Sequence, residues 1–254
     1  MTAGWLVVLV ALVAMVAMVA GQAAARDYTG YQVWRAEAGP RQAGELLGLE
    51  GSVTSLEVLV GRENITVVDL LVSPAQQPLL LAFLRCVGIS HTLTVPDLQR
   101  NIDTENVETV PQPESRASCA GKVGLNWSRY HDYATLSAYL SCLATDYPDL
   151  VTLHTLGASW EGRALVAVQV GTGGLGRRAV WLDGGMHARE WISPATVAFI
   201  LREVVEHSDE YSDILQHFDL FIMPSVNPDG YEFSRNHDRS ACTETLEVNL
   251  GNIM

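Results

Sequence analysis

The chain has 254 residues, 48% of them hydrophobic, enough for one large domain or two smaller ones with packed cores. Its formal net charge of −13 argues against nucleic acid as a partner, because phosphate binding needs a basic surface. The same acidity disfavours an anionic lipid surface, and a solvated exterior is the expectation.

At the start of the chain, Trp5 to Ala20 is an unbroken run of sixteen apolar and small residues, followed by Gly21-Gln22-Ala23-Ala24-Ala25. The run is short for a bilayer span, and the small residues after it suit signal-peptidase cleavage after Ala23 or Ala25. No Lys or Arg precedes it, which leaves the terminal amine as the only positive charge of the leader. Residues 1–25 are expected to be a signal peptide, with no later membrane span and no stable membrane association. Secretion would place Cys86, Cys119, Cys142 and Cys242 in an extracellular, oxidising compartment where disulfides persist. Four cysteines allow three complete pairings, and the sequence does not choose among them. None of the spacings is CxxC, which argues against zinc held by thiolates. Asn64-Ile65-Thr66 and Asn126-Trp127-Ser128 are acceptor sequons for N-glycans in an exported chain.

Residues 26–105 read as a small α+β unit. Tyr31-Gln32-Val33-Trp34-Arg35 has strand composition, and a short helical stretch follows near Ala43 to Leu49. Ser55 to Val60 and Ile65 to Val72 form a predicted hairpin around Gly61-Arg62-Glu63-Asn64. Pro74 is expected to open an apolar helix through Leu79–Leu84 that ends at Gly88, before a last strand from Ile89 to Val95. This β-α-β-β-α-β order is that of a ferredoxin-like split unit. Asp97 to Glu105 reads as a polar connecting helix. Residues 106–122 read as a linker: Pro111, Pro113, Glu114 and Ser115 are poor core formers, and Arg116 is exposed to cleavage by a trypsin-like protease.

A second unit covers residues 123–239. Leu136, Leu140, Leu143 and Tyr147 mark one face of a helix that stops at Pro148. Val151 to Thr155 and Leu165 to Val170 are strands joined through Trp160-Glu161-Gly162-Arg163. Ala179 to Asp183 is nearly all apolar and is expected to be a central strand. Val197, Ile200, Leu201 and Val204 trace a helix. Phe218, Leu220 and Ile222 alternate in a fourth strand before Asn227-Pro228-Asp229-Gly230, read as a turn. Strands alternating with helices indicate an α/β sheet covered on both faces.

The stretch that carries chemistry is Asp183-Gly184-Gly185-Met186-His187-Ala188-Arg189-Glu190-Trp191-Ile192-Ser193-Pro194, between a strand and the start of a helix. The carboxyl edge of an open α/β sheet is where ligands bind, and the two glycines let the backbone turn sharply there. His187 and Glu190 are three apart, so in a helical turn their side chains project the same way. An imidazole and a carboxylate so placed can chelate one zinc ion. Arg189 adds a fixed positive charge suited to a substrate carboxylate. HxxE alone is common on solvated helix faces, and its weight here comes from the neighbouring glycines, Arg and Trp and from the downstream Asn-Pro-Asp-Gly-Tyr.

Gly185-Met186-His187-Ala188-Arg189-Glu190-Trp191-Ile192-Ser193-Pro194-Ala195 closely resembles the zinc-site segment of the pancreatic-type metallocarboxypeptidases, the A/B group. Val226-Asn227-Pro228-Asp229-Gly230-Tyr231-Glu232-Phe233 resembles the segment after that family's next strand, and Trp160-Glu161-Gly162-Arg163 its S-x-E-G-R turn. The upstream unit is similar to the family's inhibitory prosegment, from Tyr31-Gln32-Val33-Trp34-Arg35 through Gly88-Ile89 to Asp97-Leu98-Gln99. The resemblance implies a ferredoxin-like α+β prosegment followed by an incomplete mixed α/β/α carboxypeptidase sheet domain. It also implies a zymogen, cut in the linker, that binds Zn2+ and removes C-terminal residues from peptides or proteins. His187 and Glu190 are then zinc ligands and Arg189 a substrate-binding residue.

The likeness by motif stops after Arg239, and residues 240–254 read as a divergent tail. The family's carbonyl-polarising arginine falls at position 242, which is Cys242 here. Also unmatched are the family's Asn-Arg pair for the terminal carboxylate, its third zinc ligand (a distant histidine), its capping tyrosine and its general-base glutamate. No catalytic residue is therefore assigned. His217 and His237 do not match the family histidine and read as ordinary surface residues. The polypeptide is expected to be a truncated or alternatively spliced product, or an erroneous gene model, inactive by itself, with a sheet that exposes an apolar edge. The rival expectation is a secreted, non-catalytic prosegment-type inhibitor or binding protein of active carboxypeptidases.

Overall fold

The computed structural model describes residues 25–47, 55–59, 66–105, 125–171, 173 and 177–241. The expected signal peptide (save its last residue), Asn64, the 106–122 linker with Arg116 and Cys119, and Cys242 with the rest of the tail lie outside the described residues. Two compact units are present, one spanning Asp27–Val107 and one holding Arg26 and the described residues from Leu125 onward.

The smaller unit runs β1 (Gln32–Ala38), α1 (Pro40–Leu47), β2 (Ser55–Leu59), β3 (Thr66–Val72), α2 (Gln77–Cys86), β4 (Ser90–Val95) and α3 (Leu98–Thr104). Its antiparallel sheet has the order β2-β3-β1-β4, which is the expected split unit. Period-two alternation sets the faces: Ala36 and Ala38 are buried while Arg35 and Glu37 face outward. The buried face packs Ala36, Val68, Leu70 and Val72 against Leu46, Leu80 and Leu84 from the helices. On the outer face Arg35 lies directly opposite Asp69 and holds both of its carboxylate oxygens, at 2.8 and 2.7 Å. Helix α2 begins three residues later than Pro74: Ser73–Gln76 turns first, and Pro78 occupies the first helical turn, where its missing N–H costs nothing. Asp97 caps α3 by accepting from the N–H groups of Gln99 and Arg100.

The larger unit runs α4 (Tyr133–Asp146), β5 (Val151–Ala158), β6 (Ala164–Val170), β7 (Arg178–Asp183), α5 (Ile192–Glu206), α6 (Ser212–His217), β8 (Phe218–Met223) and α7 (Pro228–Asn236). Its sheet order is β5-β6-β8-β7, antiparallel except for the parallel pair β7/β8. Helices α4 and α5 cover one face, with Leu136, Tyr139, Leu140, Leu143, Leu201 and Val205 packed on Val168, Val170 and Ile222. The N-terminus of α4 is capped twice: Asp132 accepts from Thr135 N, and Glu232 of α7 accepts from Tyr133 N. Arg177 ties the entry of β7 to the end of α6, donating to Asp219 at 2.8 Å and to the Leu215, Gln216 and Phe218 carbonyls.

Two expectations need correction. β7 is not central: among the described residues it pairs with β8 alone, and its apolar side chains Val180 and Trp181 are 45% and 48% exposed. The apolar composition of a strand records the need for burial, not the presence of a neighbour. Asn227-Pro228-Asp229-Gly230 is not a free turn but the first turn of α7: Asn227 is the cap, its side chain accepting from Gly230 N, and Pro228 occupies the first turn.

Candidate functional site

The loop Gly184–Trp191 leaves the carboxyl end of β7 beside the end of β8. Gly184 N donates to Met223 O, extending the strand pairing, while Val226 N and Asn227 N donate to the Gly184 and Gly185 carbonyls. Gly185 has φ 67°, and a Cβ there would lie 3.1 Å from Ser225 Cα, so the backbone can take this path only with glycine. Ser193 Oγ accepts from Gly185 N at 3.0 Å and closes the loop onto the start of α5.

The next residues form a tight turn, with Glu190 N donating to His187 O at 3.2 Å and Ser193 N to Glu190 O at 2.9 Å. This turn, ahead of α5, aims His187 and Glu190 the same way, and places His187 Nδ1 3.1 Å from Glu190 Oε1. Both side chains are open to solvent, at 44% and 55% exposure. Two donors on one tetrahedral zinc, each at about 2.0–2.2 Å, stand about 3.4 Å apart, so the pair fits two positions of a zinc coordination sphere. Among the described residues no group of three or more His, Cys, Asp or Glu is placed to hold an ion. His217 lies at the end of α6, its Nδ1 2.8 Å from Asp213 O, and His237 follows α7 with its ring against Phe233.

Beneath the turn, Trp191 is 5% exposed and packs on Tyr130 and Tyr231. Its Nε1 donates to Ser234 Oγ at 2.8 Å, and that hydroxyl donates to Ala188 O at 2.8 Å. The Arg239 guanidinium stacks 3.8 Å over the Trp191 ring and donates to Arg189 O at 2.9 Å. The turn backbone is thus held from below at residues 188 and 189. Arg189 itself is half-buried, its Nη1 3.5 Å from Ser240 O. Tyr231 donates to His131 O at 2.6 Å, and burial pushes its phenol up to about 12, so it acts here as a neutral donor. Burial also holds the His131 imidazole below its ordinary value.

A family model described as zinc carboxypeptidase matches residues 136–245, and a second, described as carboxypeptidase activation peptide, matches residues 26–105. The chain belongs to the zinc carboxypeptidase family. The match of the catalytic model continues past Arg239, where the likeness by motif ends. Carboxypeptidase B from Astacus astacus is 44% identical over 115 residues, 45% of this chain and 38% of that protein. Carboxypeptidase A1 from Sus scrofa is 28% identical over 226 residues, 86% of this chain and 53% of that protein. The crystal structure of a carboxypeptidase A from Helicoverpa armigera shares the fold with a TM-score of 0.69 at 24% identity, over 85% of this chain and 53% of that one. The chain spans 37% to 53% of the length of the curated relatives it matches.

Reading by motif finds the His187–Glu190 pair but misses the residues that hold the loop. Ser234 and Arg239 reach it from another element. Asn227 was read as part of a turn, although Asn followed by Pro ahead of an aromatic-rich stretch is also a helix-start signal.

Proposed function

We propose that this chain is a secreted zinc metallocarboxypeptidase zymogen, or its front part, directed at the C-termini of peptides or proteins. The observation that carries the reading is the 3.1 Å approach of His187 Nδ1 to Glu190 Oε1 at the carboxyl edge of β7. His187 and Glu190 are two of the zinc ligands, and Arg189 supplies a cation for the substrate carboxylate. Zinc bound there supplies a Lewis acid and a water of lowered pKa. Trp191, Ser234 and Arg239 keep the turn rigid, so that the two donors need no reorganisation to meet an ion. The general base and third ligand are not assigned to any described residue, and the chain alone is expected to lack peptidase activity.

Residues 26–105 serve as the inhibitory prosegment, and Arg116 in the linker as the cut site of an activating trypsin-like protease. The compact, separately cored Asp27–Val107 unit supports this division. Asn64 and Asn126 are proposed glycan sites. The side-chain Oδ1 of Asn126 accepts from both the backbone N–H and the hydroxyl of Ser128, at 2.8 and 2.6 Å. Extracellular placement belongs to the same reading: Cys86, Cys119, Cys142 and Cys242 would then meet an oxidising compartment in which disulfides persist. No helix among the described residues is long and apolar enough to cross a membrane.

Calorimetric titration of zinc into the purified chain tests the metal assignment. Saturable binding of one ion per chain is expected, abolished by His187→Ala and by Glu190→Ala. Absence of binding in the wild type, or full binding in His187→Ala, would sink the assignment.

A further inference from the structure

We infer that Asn227 and Asp229 are positioning residues that set the place of His187 and Glu190 by gripping the loop in front of them. As far as it concerns zinc, this rests on the metal assignment proposed above; the loop geometry stands without it.

Asn227 is 2% exposed and Asp229 8%, so both side chains must satisfy their polar atoms inside the protein. Asn227 does so on two elements at once. Its backbone N–H donates to Gly185 O at 3.2 Å, and its Nδ2 donates to Met186 O at 3.2 Å. The two carbonyls immediately before His187 are therefore held by one residue. The amide orientation follows from the other contact: Oδ1 accepts from Gly230 N at 3.0 Å, capping α7, which leaves only the NH2 group for Met186. Gly230 makes room for this, since a Cβ there would stand 2.5 Å from Asn227 Nδ2.

Asp229 fixes the same helix start to the β5–β6 turn. It accepts from Ser159 Oγ at 2.7 Å, Glu161 N at 2.9 Å and Arg163 Nη1 at 2.5 Å. The hairpin β5/β6 is the most extensively paired part of this sheet, with seven register pairs from Val151–Val170 to Ala158–Ala164. A continuous brace runs from that hairpin through Asp229 to the cap of α7, then through Asn227 to Gly185 and Met186, and so to His187. Outer partners of this kind alter metal affinity by about 10–100-fold in zinc sites.

Two substitutions test the grip, and the first separates it from the cap. Asn227→Asp keeps an oxygen for Gly230 N but turns a carboxylate oxygen toward Met186 O, so the cap survives and the grip is lost. Gly230→Ala favours the helix yet pushes the whole Asn227 amide aside, its cap oxygen included. The measurement is hydrogen–deuterium exchange of the full, metal-free chain, resolved over 184–191, alongside zinc titration. In both variants the loop amides are expected to exchange about ten-fold faster or more, with α5 protection retained in both and α7 protection retained in Asn227→Asp, and zinc affinity to fall about 10–100-fold. Unchanged loop exchange in both variants overturns the proposal, and global loss of protection in Asn227→Asp leaves Gly230→Ala to decide it. Faster loop exchange in a chain whose wild type takes up no zinc supports the positioning role and refutes the metal assignment instead.

Discussion

Asp229 shows how one buried carboxylate is kept charged. Burial pushes its carboxyl up, but the Ser159 hydroxyl, the Glu161 N–H and the Arg163 guanidinium outweigh burial and hold it below the usual carboxylate range. A group whose folded pKa is lowered stabilises the fold above its unfolded value of about 3.9 and loses that contribution as pH falls toward the folded value. Asp229→Asn is expected to be less stable than wild type near neutral pH by roughly 1–3 kcal/mol, the cost of partners left short of an acceptor. The gap should narrow as the pH falls below about 4. Chemical denaturation of both proteins across that window checks the sign. A gap that widens in acid would show that Asp229 is not a stabilising anion.

At the scale of elements, what could be read from the sequence was decided by whether the signal was local. The smaller unit's strand and helix order was legible because the composition of Tyr31 to Arg35, the Val, Leu and Ile of Ser55 to Val60 and Ile65 to Val72, and the apolar run Leu79–Leu84 are all local signals. The HxxE pair was legible because both donors lie in one turn. The edge position of β7 and the helical start of α7 were not. The first depends on which strands flank Val180 and Trp181; the second rests on Asn227-Pro228-Asp229-Gly230, a local signal that a turn and a capped helix start share, while the hold of Asn227 on Met186 lies some forty residues away. The brace from Asp229 to Ser159 and Arg163 is equally non-local. Among the described residues β7 has an open edge, and exposed apolar strand edges associate. Val180→Lys is expected to lower self-association of this chain in light scattering without loss of secondary structure. Unchanged association would place the contact elsewhere.

On the scale of the whole molecule, two units with separate cores, each matching its own carboxypeptidase model, account for most of the chain. Against a chain-wide net charge of −13, Arg235 and Arg239 stack on Trp191 beneath the loop, and Arg239 donates to Arg189 O. In the function proposed above, this braced loop presents one imidazole and one carboxylate to a zinc ion. X-ray absorption at the zinc edge of the metal-loaded chain tests it most directly. Nitrogen and oxygen donors at about 2.0–2.2 Å are expected, with the outer scattering of an imidazole that is lost in His187→Ala. Sulfur donors at about 2.3 Å, or a spectrum unchanged by the substitution, would mean that zinc binds elsewhere and would contradict the account.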